Sequence, residues 1–120
     1  QTADPERDRI FGVLVEGTLV ALARCRRHPD GLEVDGVFTL EEFRDRGYAR
    51  DVMGELISAC GREPLYMHST VPLVEFYREL GFEKIEEDEL PPGIQARFDF
   101  AMGELEGSNV QPMMRPADRA

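Results

Sequence analysis

Apolar residues recur along this chain with two periods, and the changes of period mark its elements. Residues 10–15 and 18–23 are apolar runs separated by Glu16-Gly17, which reads as two strands joined by a tight hairpin. His28-Pro29-Asp30-Gly31 is a turn, with proline and glycine where a four-residue turn favours them. Residues 33–40, rich in Val, Phe, Thr and Leu, form the next strand, antiparallel to the one before. The period then changes. Ala49, Val52, Met53, Leu56, Ile57 and Cys60 fall on one continuous helical face, and Gly61 supplies a stop.

Residues 64–68 form a short strand. Ser69 or Thr70 caps a second helix with Pro72 in its first turn, and Leu73, Phe76, Tyr77 and Leu80 share its inner face until Gly81. A strand from Phe82 to Ile85 follows. Pro91-Pro92 opens a third helix with Ile94, Phe98, Ala101 and Leu105 on one side, and residues 110–114 make a last strand. The polar residues 1–9 read as a frayed start to a single domain spanning 1–120. The path from the 33–40 strand through a helix to the strand at Leu65 is a right-handed crossover, which makes those two strands parallel. The fold class is therefore α/β in the mixed α+β sense: a central, mostly antiparallel sheet with one parallel strand–helix–strand crossover.

Composition narrows the function classes. No apolar run approaches the roughly 20 residues that span a bilayer, and the N-terminus lacks a charged-then-apolar leader pattern. The 24 acidic and 14 basic side chains give a net charge of −10. That field repels phosphates, so neither nucleic acid nor an anionic membrane is an expected partner. Cys25 lies on a strand and Cys60 on a helix; a reduced, cytoplasmic setting with buried thiols is the simplest reading. Whether they can pair depends on their separation in space. No metal-ligand spacing is present, and no activating partner marks Cys60 as a nucleophile.

The chemistry concentrates at Arg44-Asp45-Arg46-Gly47-Tyr48-Ala49, a strand-to-helix junction. A glycine there lets backbone approach an anion, and the first amides of the next helix point outward without partners. With the positive end of the helix dipole they make an anion site. Arg44, Arg46 and Arg50 add the local positive potential that an acidic protein needs to hold a polyanion.

Arg44, Gly47 and Ala49 fit the Arg/Gln-x-x-Gly-x-Gly/Ala loop of the GNAT superfamily of N-acetyltransferases. Residues 74–82 (VEFYRELGF) resemble that superfamily's later helix, with its Phe-Tyr pair and following Gly-Phe. The resemblance runs from about residue 10 to residue 115. It implies a GNAT-like fold, acetyl-coenzyme A as acetyl donor, and direct transfer to an amine acceptor of a small molecule or peptide. It places the coenzyme on Val37, Phe38, Thr39 and residues Arg44, Asp45, Arg46, Gly47, Tyr48, Ala49 and Arg50. Within that set, the amides of Val37 and Thr39 would serve the acetyl carbonyl and the pantetheine arm.

Tyr77 matches the tyrosine that protonates the departing thiolate, and its alternative is core packing. Glu33 and Asp35, taken to share a strand face with Val37 and Thr39, are the candidate bases, or else an exposed strand face. His68 is a base, relay or structural histidine. Thr70 stands where the family often has asparagine. Arg24, Arg26, Arg27 and His28 read as solvated loop charge, with the coenzyme's 3′-phosphate as a rival partner. Domains of this family usually begin with a strand and one or two helices that cover the acceptor side, and this chain starts at what matches their second strand: it is a minimal member, or a partner chain replaces the first part, or the sequence is truncated. An acceptor side left open favours a homodimer. The rival class is a catalytically silent acyl-coenzyme A-binding module that senses the coenzyme or assembles with a partner.

Overall fold

The computed structural model describes residues 8–96 and 110–118. Strands β1 (Asp8–Val15), β2 (Thr18–His28) and β3 (Gly31–Thr39) form a meander, and helix α1 (Tyr48–Cys60) crosses over to β4 (Leu65–Thr70). Helix α2 (Val74–Glu79), the short β5 (Glu83–Lys84) and β6 (Val110–Arg115) complete one sheet in the order β1-β2-β3-β4-β6-β5. Every neighbouring pair is antiparallel except β3 and β4, the expected crossover pair.

Local chemistry explains the joints. Glu16 (φ 49°) and Gly17 (φ 83°) both lie in the left-handed region, as a two-residue hairpin matched to strand twist requires. Asp8 and Arg9 pair with Arg26 and Cys25, so the strand already begins within the stretch 1–9 that the sequence suggested was frayed. β2 runs on to His28, and its basic cluster is strand rather than loop: Arg24, Arg26, Arg27 and His28 meet Asp35, Asp8, Glu63 and Glu33. Ser69 Oγ donates to the Thr70 carbonyl at 2.8 Å, and no side chain caps the short 3-10 turn that leads into α2. Of the expected third helix, residues 92–96 are helical, whereas Phe98, Ala101 and Leu105 lie outside the described residues.

The core sits mainly between one sheet face and the two helices. Val52, Met53, Leu56 and Cys60 of α1 and Val74 and Tyr77 of α2 pack with Ala21, Ala23, Cys25, Val34, Leu65 and Met67. The small residues on β2 leave room for α1 to lie close to the sheet. On the opposite face Ile85, Leu90 and Ile94 form a second cluster with Tyr66 and Met114.

Two irregularities in β3 matter for function. It pairs with β4 at Leu32↔Leu65 and Glu33↔Tyr66, and beyond those pairs the two strands part. Its register against β2 also slips. Asp35 faces Arg24 but Phe38 faces Leu22, so Gly36 and Val37 together oppose one residue. This is a β-bulge, and Gly36 adopts φ +66° to make it. Arg24 and Leu22 lie on one face of β2, so the bulge puts Asp35 and Phe38 on one face of β3 and Val37 and Thr39 on the other. The expectation that Glu33, Asp35, Val37 and Thr39 share a face fails for this reason.

Gly36→Ala tests the bulge. A Cβ at Gly36 would meet no atom within 4 Å, so the cost is backbone strain alone. Urea unfolding should show a loss of about 1–2 kcal/mol, the left-handed penalty for a residue bearing a Cβ.

Candidate active site

The parting of β3 from β4 opens a pocket of about 700 Å3 between the end of β3, the start of α1 and α2. Val37, Phe38 and Thr39 form one wall. Among the described residues the β4-facing edge of this stretch has no ladder partner, so its backbone turns to the pocket. Leu73, Phe76 and Tyr77 form the opposite wall, and Arg44, Asp45, Gly47, Tyr48, Ala49 and Arg50 close the end.

That end is built to meet an anion. Asp45 (φ 63°) and Gly47 (φ 85°) are both left-handed, which curls the chain so that α1 starts abruptly at Tyr48. No side chain caps the helix, and its first internal bond is Asp51 N–H to the Gly47 carbonyl at 3.0 Å. The amides of Tyr48, Ala49 and Arg50 therefore point outward with no partner in the helix. A Cβ at Gly47 would meet nothing within 4 Å, so open space lies beside those amides.

The arginines are held rather than loose. Arg44 Nε donates to the Thr39 carbonyl at 3.3 Å, and the Arg46 guanidinium lies over the Phe43 ring at 5.4 Å. Arg50 contacts Glu79 at 2.6 Å and lies 5.5 Å over Phe76. Both partners of the Arg50–Glu79 pair are more than half exposed, so the pair is worth little and leaves Arg50 available to a stronger anion.

Tyr77 is 3% exposed, packed edge-on between Phe76 and Phe82 at centroid distances of 5.1 and 5.9 Å. Burial pushes its phenol up to about 12. At neutral pH it is a hydrogen-bond donor at the pocket wall and not a base.

The expected site residues divide into two groups. Val37, Phe38, Thr39, Arg44, Asp45, Gly47, Tyr48, Ala49, Arg50 and Tyr77 surround one pocket; Arg46 lies behind it on Phe43. Glu33 and Asp35 do not line it. Glu33 is 1% exposed with His28 Nε2 at 2.8 Å, and Asp35 accepts two bonds from Arg24 at 2.7 and 3.1 Å. His68 sits on β4 with Nε2 at 3.4 Å from Glu87, and Thr70 is exposed at the end of that strand. Phe43, Leu73 and Phe76 join the lining, although nothing in their sequence context assigned a site role to them. An aromatic in the charged stretch Glu41-Glu42-Phe43-Arg44 was the available signal for Phe43.

The family model described as the acetyltransferase (GNAT) family matches residues 1–82. Among solved structures, N-acetylglutamate synthase from Neisseria gonorrhoeae, complexed with coenzyme A and N-acetyl-glutamate, superposes with a TM-score of 0.73 at 23% identity, over 90% of this chain and 25% of that one. Escherichia coli ElaA gives 0.65 at 20% identity, covering 90% and 68%. A ribosomal-protein-alanine N-acetyltransferase from Escherichia coli gives 0.71 at 17%, covering 98% and 74%. The chain thus spans a quarter of the synthase's length and more of the other two. No curated protein sequence gives a significant match.

The Tyr77 shift has a measurable consequence. The folded state holds the phenol proton more tightly than the unfolded chain, so this contribution is complete below pH 10 and is lost as pH rises through about 12. Between pH 8 and pH 11.5 the wild type should lose about 2 kcal/mol more stability than Tyr77→Phe. Denaturant unfolding at the two pH values checks it.

Proposed function

The chain belongs to the acetyltransferase (GNAT) family, and from that premise we propose that it binds acetyl-coenzyme A in this pocket and transfers the acetyl group directly to an amine. The observation that carries the reading is the uncapped N-terminus of α1, opening from a left-handed Gly47 into empty space at the end of an apolar pocket. Such an end receives a pyrophosphate through backbone amides and the helix dipole, with Arg44 and Arg50 as the nearest cations. A pantetheine arm would run along the open edge of Val37–Thr39 between the rings of Tyr48, Phe76 and Tyr77.

The thioester supplies an activated acetyl group. The chain's own part is to hold it, to meet charge and to shed water. A backbone N–H at Val37 answers negative charge developing on the carbonyl oxygen. Tyr77 answers the leaving thiolate. Its phenol near 12 lies roughly 3 to 4 units above an ordinary thiol, so full proton transfer would run uphill by about 5 kcal/mol. Tyr77 therefore stabilises the thiolate by a hydrogen bond instead of giving up its proton.

Glu33 and Asp35, committed to His28 and Arg24, act on the acceptor at most indirectly. An acceptor whose amine is already substantially neutral suits such a site. An α-amine, with pKa near 8, meets that condition far better than a lysine side chain near 10.4. The same observation supports a second reading, a catalytically silent acyl-coenzyme A-binding module, because both carboxylates offered as bases have structural partners.

Thiol release with a panel of amines and peptides separates the two. Turnover that rises with the neutral fraction of the amine is the expected result, and binding without turnover on any acceptor leaves the silent module. Gly47→Glu should weaken coenzyme A binding by about 100-fold or more, since the carboxylate enters the anion's place; unchanged affinity by calorimetry removes the phosphate assignment. Tyr77→Phe should lower kcat by roughly 10- to 100-fold, with KM for acetyl-coenzyme A within about threefold.

A further inference from the structure

Cys25 and Cys60 take no part in that chemistry, yet the fold sets them together. Cys25 sits on β2 opposite Arg9 of β1 in the ladder. The Arg9 guanidinium reaches over to the last turn of α1, donating to the Ala59 carbonyl at 3.4 Å and to Cys60 Sγ at 3.8 Å. Both cysteines are reduced, at 1% and 6% exposure, in one packed cluster. Arg9 thus links the strand position opposite Cys25 to the Cys60 sulfur within one part of the core, and the two thiols lie near enough to act on each other's ionisation. We propose that Cys25 and Cys60 form an oxidisable dithiol, a modification site at which a peroxide closes a disulfide between β2 and the C-terminal turn of α1.

The two sulfurs have different parts. Cys60 is the less buried, and Arg9 gives it a cationic hydrogen-bond donor, so it is the sulfur that meets the oxidant. Its thiolate attacks one peroxide oxygen, the O–O bond breaks, and Cys60 becomes a sulfenic acid while the other oxygen leaves as water. Cys25 then attacks the Cys60 sulfur, the S–O bond breaks, and a second water departs. Two thiol protons end on the two waters; the cysteine pair loses two electrons and the peroxide gains them.

Cys25 is the resolving partner. Its thiol is pushed up to about 12, first by burial and then by the charge of Cys60. Conversion of Cys60 to a neutral sulfenic acid removes that second cause at the moment when Cys25 must react.

The closed loop would contain all of β3, the anion loop and α1. Cross-linking a loop of that length stabilises chiefly by restricting the unfolded chain. Cys60 ends the 13-residue helix whose beginning faces the pocket, so the two ends stand roughly 20 Å apart. The bond therefore clasps α1 to the sheet without touching the anion site.

Treatment of the full chain with a small excess of hydrogen peroxide tests this. Both thiols should vanish together in a denatured thiol titration. The intact mass should fall by two hydrogens, the chain should stay monomeric on a non-reducing gel, and dithiothreitol should restore both thiols. The melting temperature should rise by roughly 5–15 °C, with coenzyme A affinity within about twofold of the reduced protein. Cys25→Ser should leave Cys60 to gain oxygens or to dimerise, and Arg9→Met should slow closure several-fold with the same product. Survival of both thiols, oxygen adducts on the two cysteines independently, or an intermolecular disulfide as the main product would each overturn the proposal. Measurements on the wild type decide it even where a serine variant does not fold.

Discussion

The departure of β3 from β4 is the constraint on which the rest depends. Two residue pairs form the ladder between the parallel strands, and among the described residues it ends after Glu33. In a closed sheet the edge of Val37–Thr39 would be spent on a neighbour, since buried backbone groups must find partners. Here the bulge at Gly36 turns the strand, the edge faces a pocket, and the helices supply the other walls. A fault in the ladder becomes a surface that can accept a ligand's polar atoms.

The acidity of the chain makes the second problem local. With a net charge of −10, an anion is favoured only where partial positive charge is concentrated. The uncapped start of α1 does this with backbone, which carries no side-chain entropy cost, and Arg44 and Arg50 add side chains already tethered to Thr39, Glu79 and Phe76. Elsewhere the arginines of β2 are matched with Asp8, Asp35 and Glu63, so the cations of the meander stabilise the sheet rather than compete with the site.

Burial assigns roles that residue type leaves open. Tyr77 at the pocket wall is kept neutral by desolvation, whereas Glu33, equally sheltered, is satisfied by His28 and faces away from the ligand side. Cys25 and Cys60 are ordinary core residues until the neighbouring Arg9 is considered. In each case the environment sets the chemistry.

The sequence alone determined the strand and helix order, the parallel crossover, the Gly47 loop and the tyrosine across from it. These follow from period, turn chemistry and a short motif, which depend on neighbours along the chain. The boundaries were less legible: β2 continued to His28 because its arginines found carboxylates on β1, β3 and the α1–β4 loop, and that pairing has no local signature. Only the tertiary structure decided which carboxylates reach the pocket. A single extra residue at Gly36 inverted the alternation of β3 and separated Glu33 and Asp35 from Val37 and Thr39. The packing of helices on the sheet brought Phe43 and Leu73 to the pocket and Cys25 and Cys60 into one cluster, because such contacts depend on how elements pack and not on the spacing of residues within them.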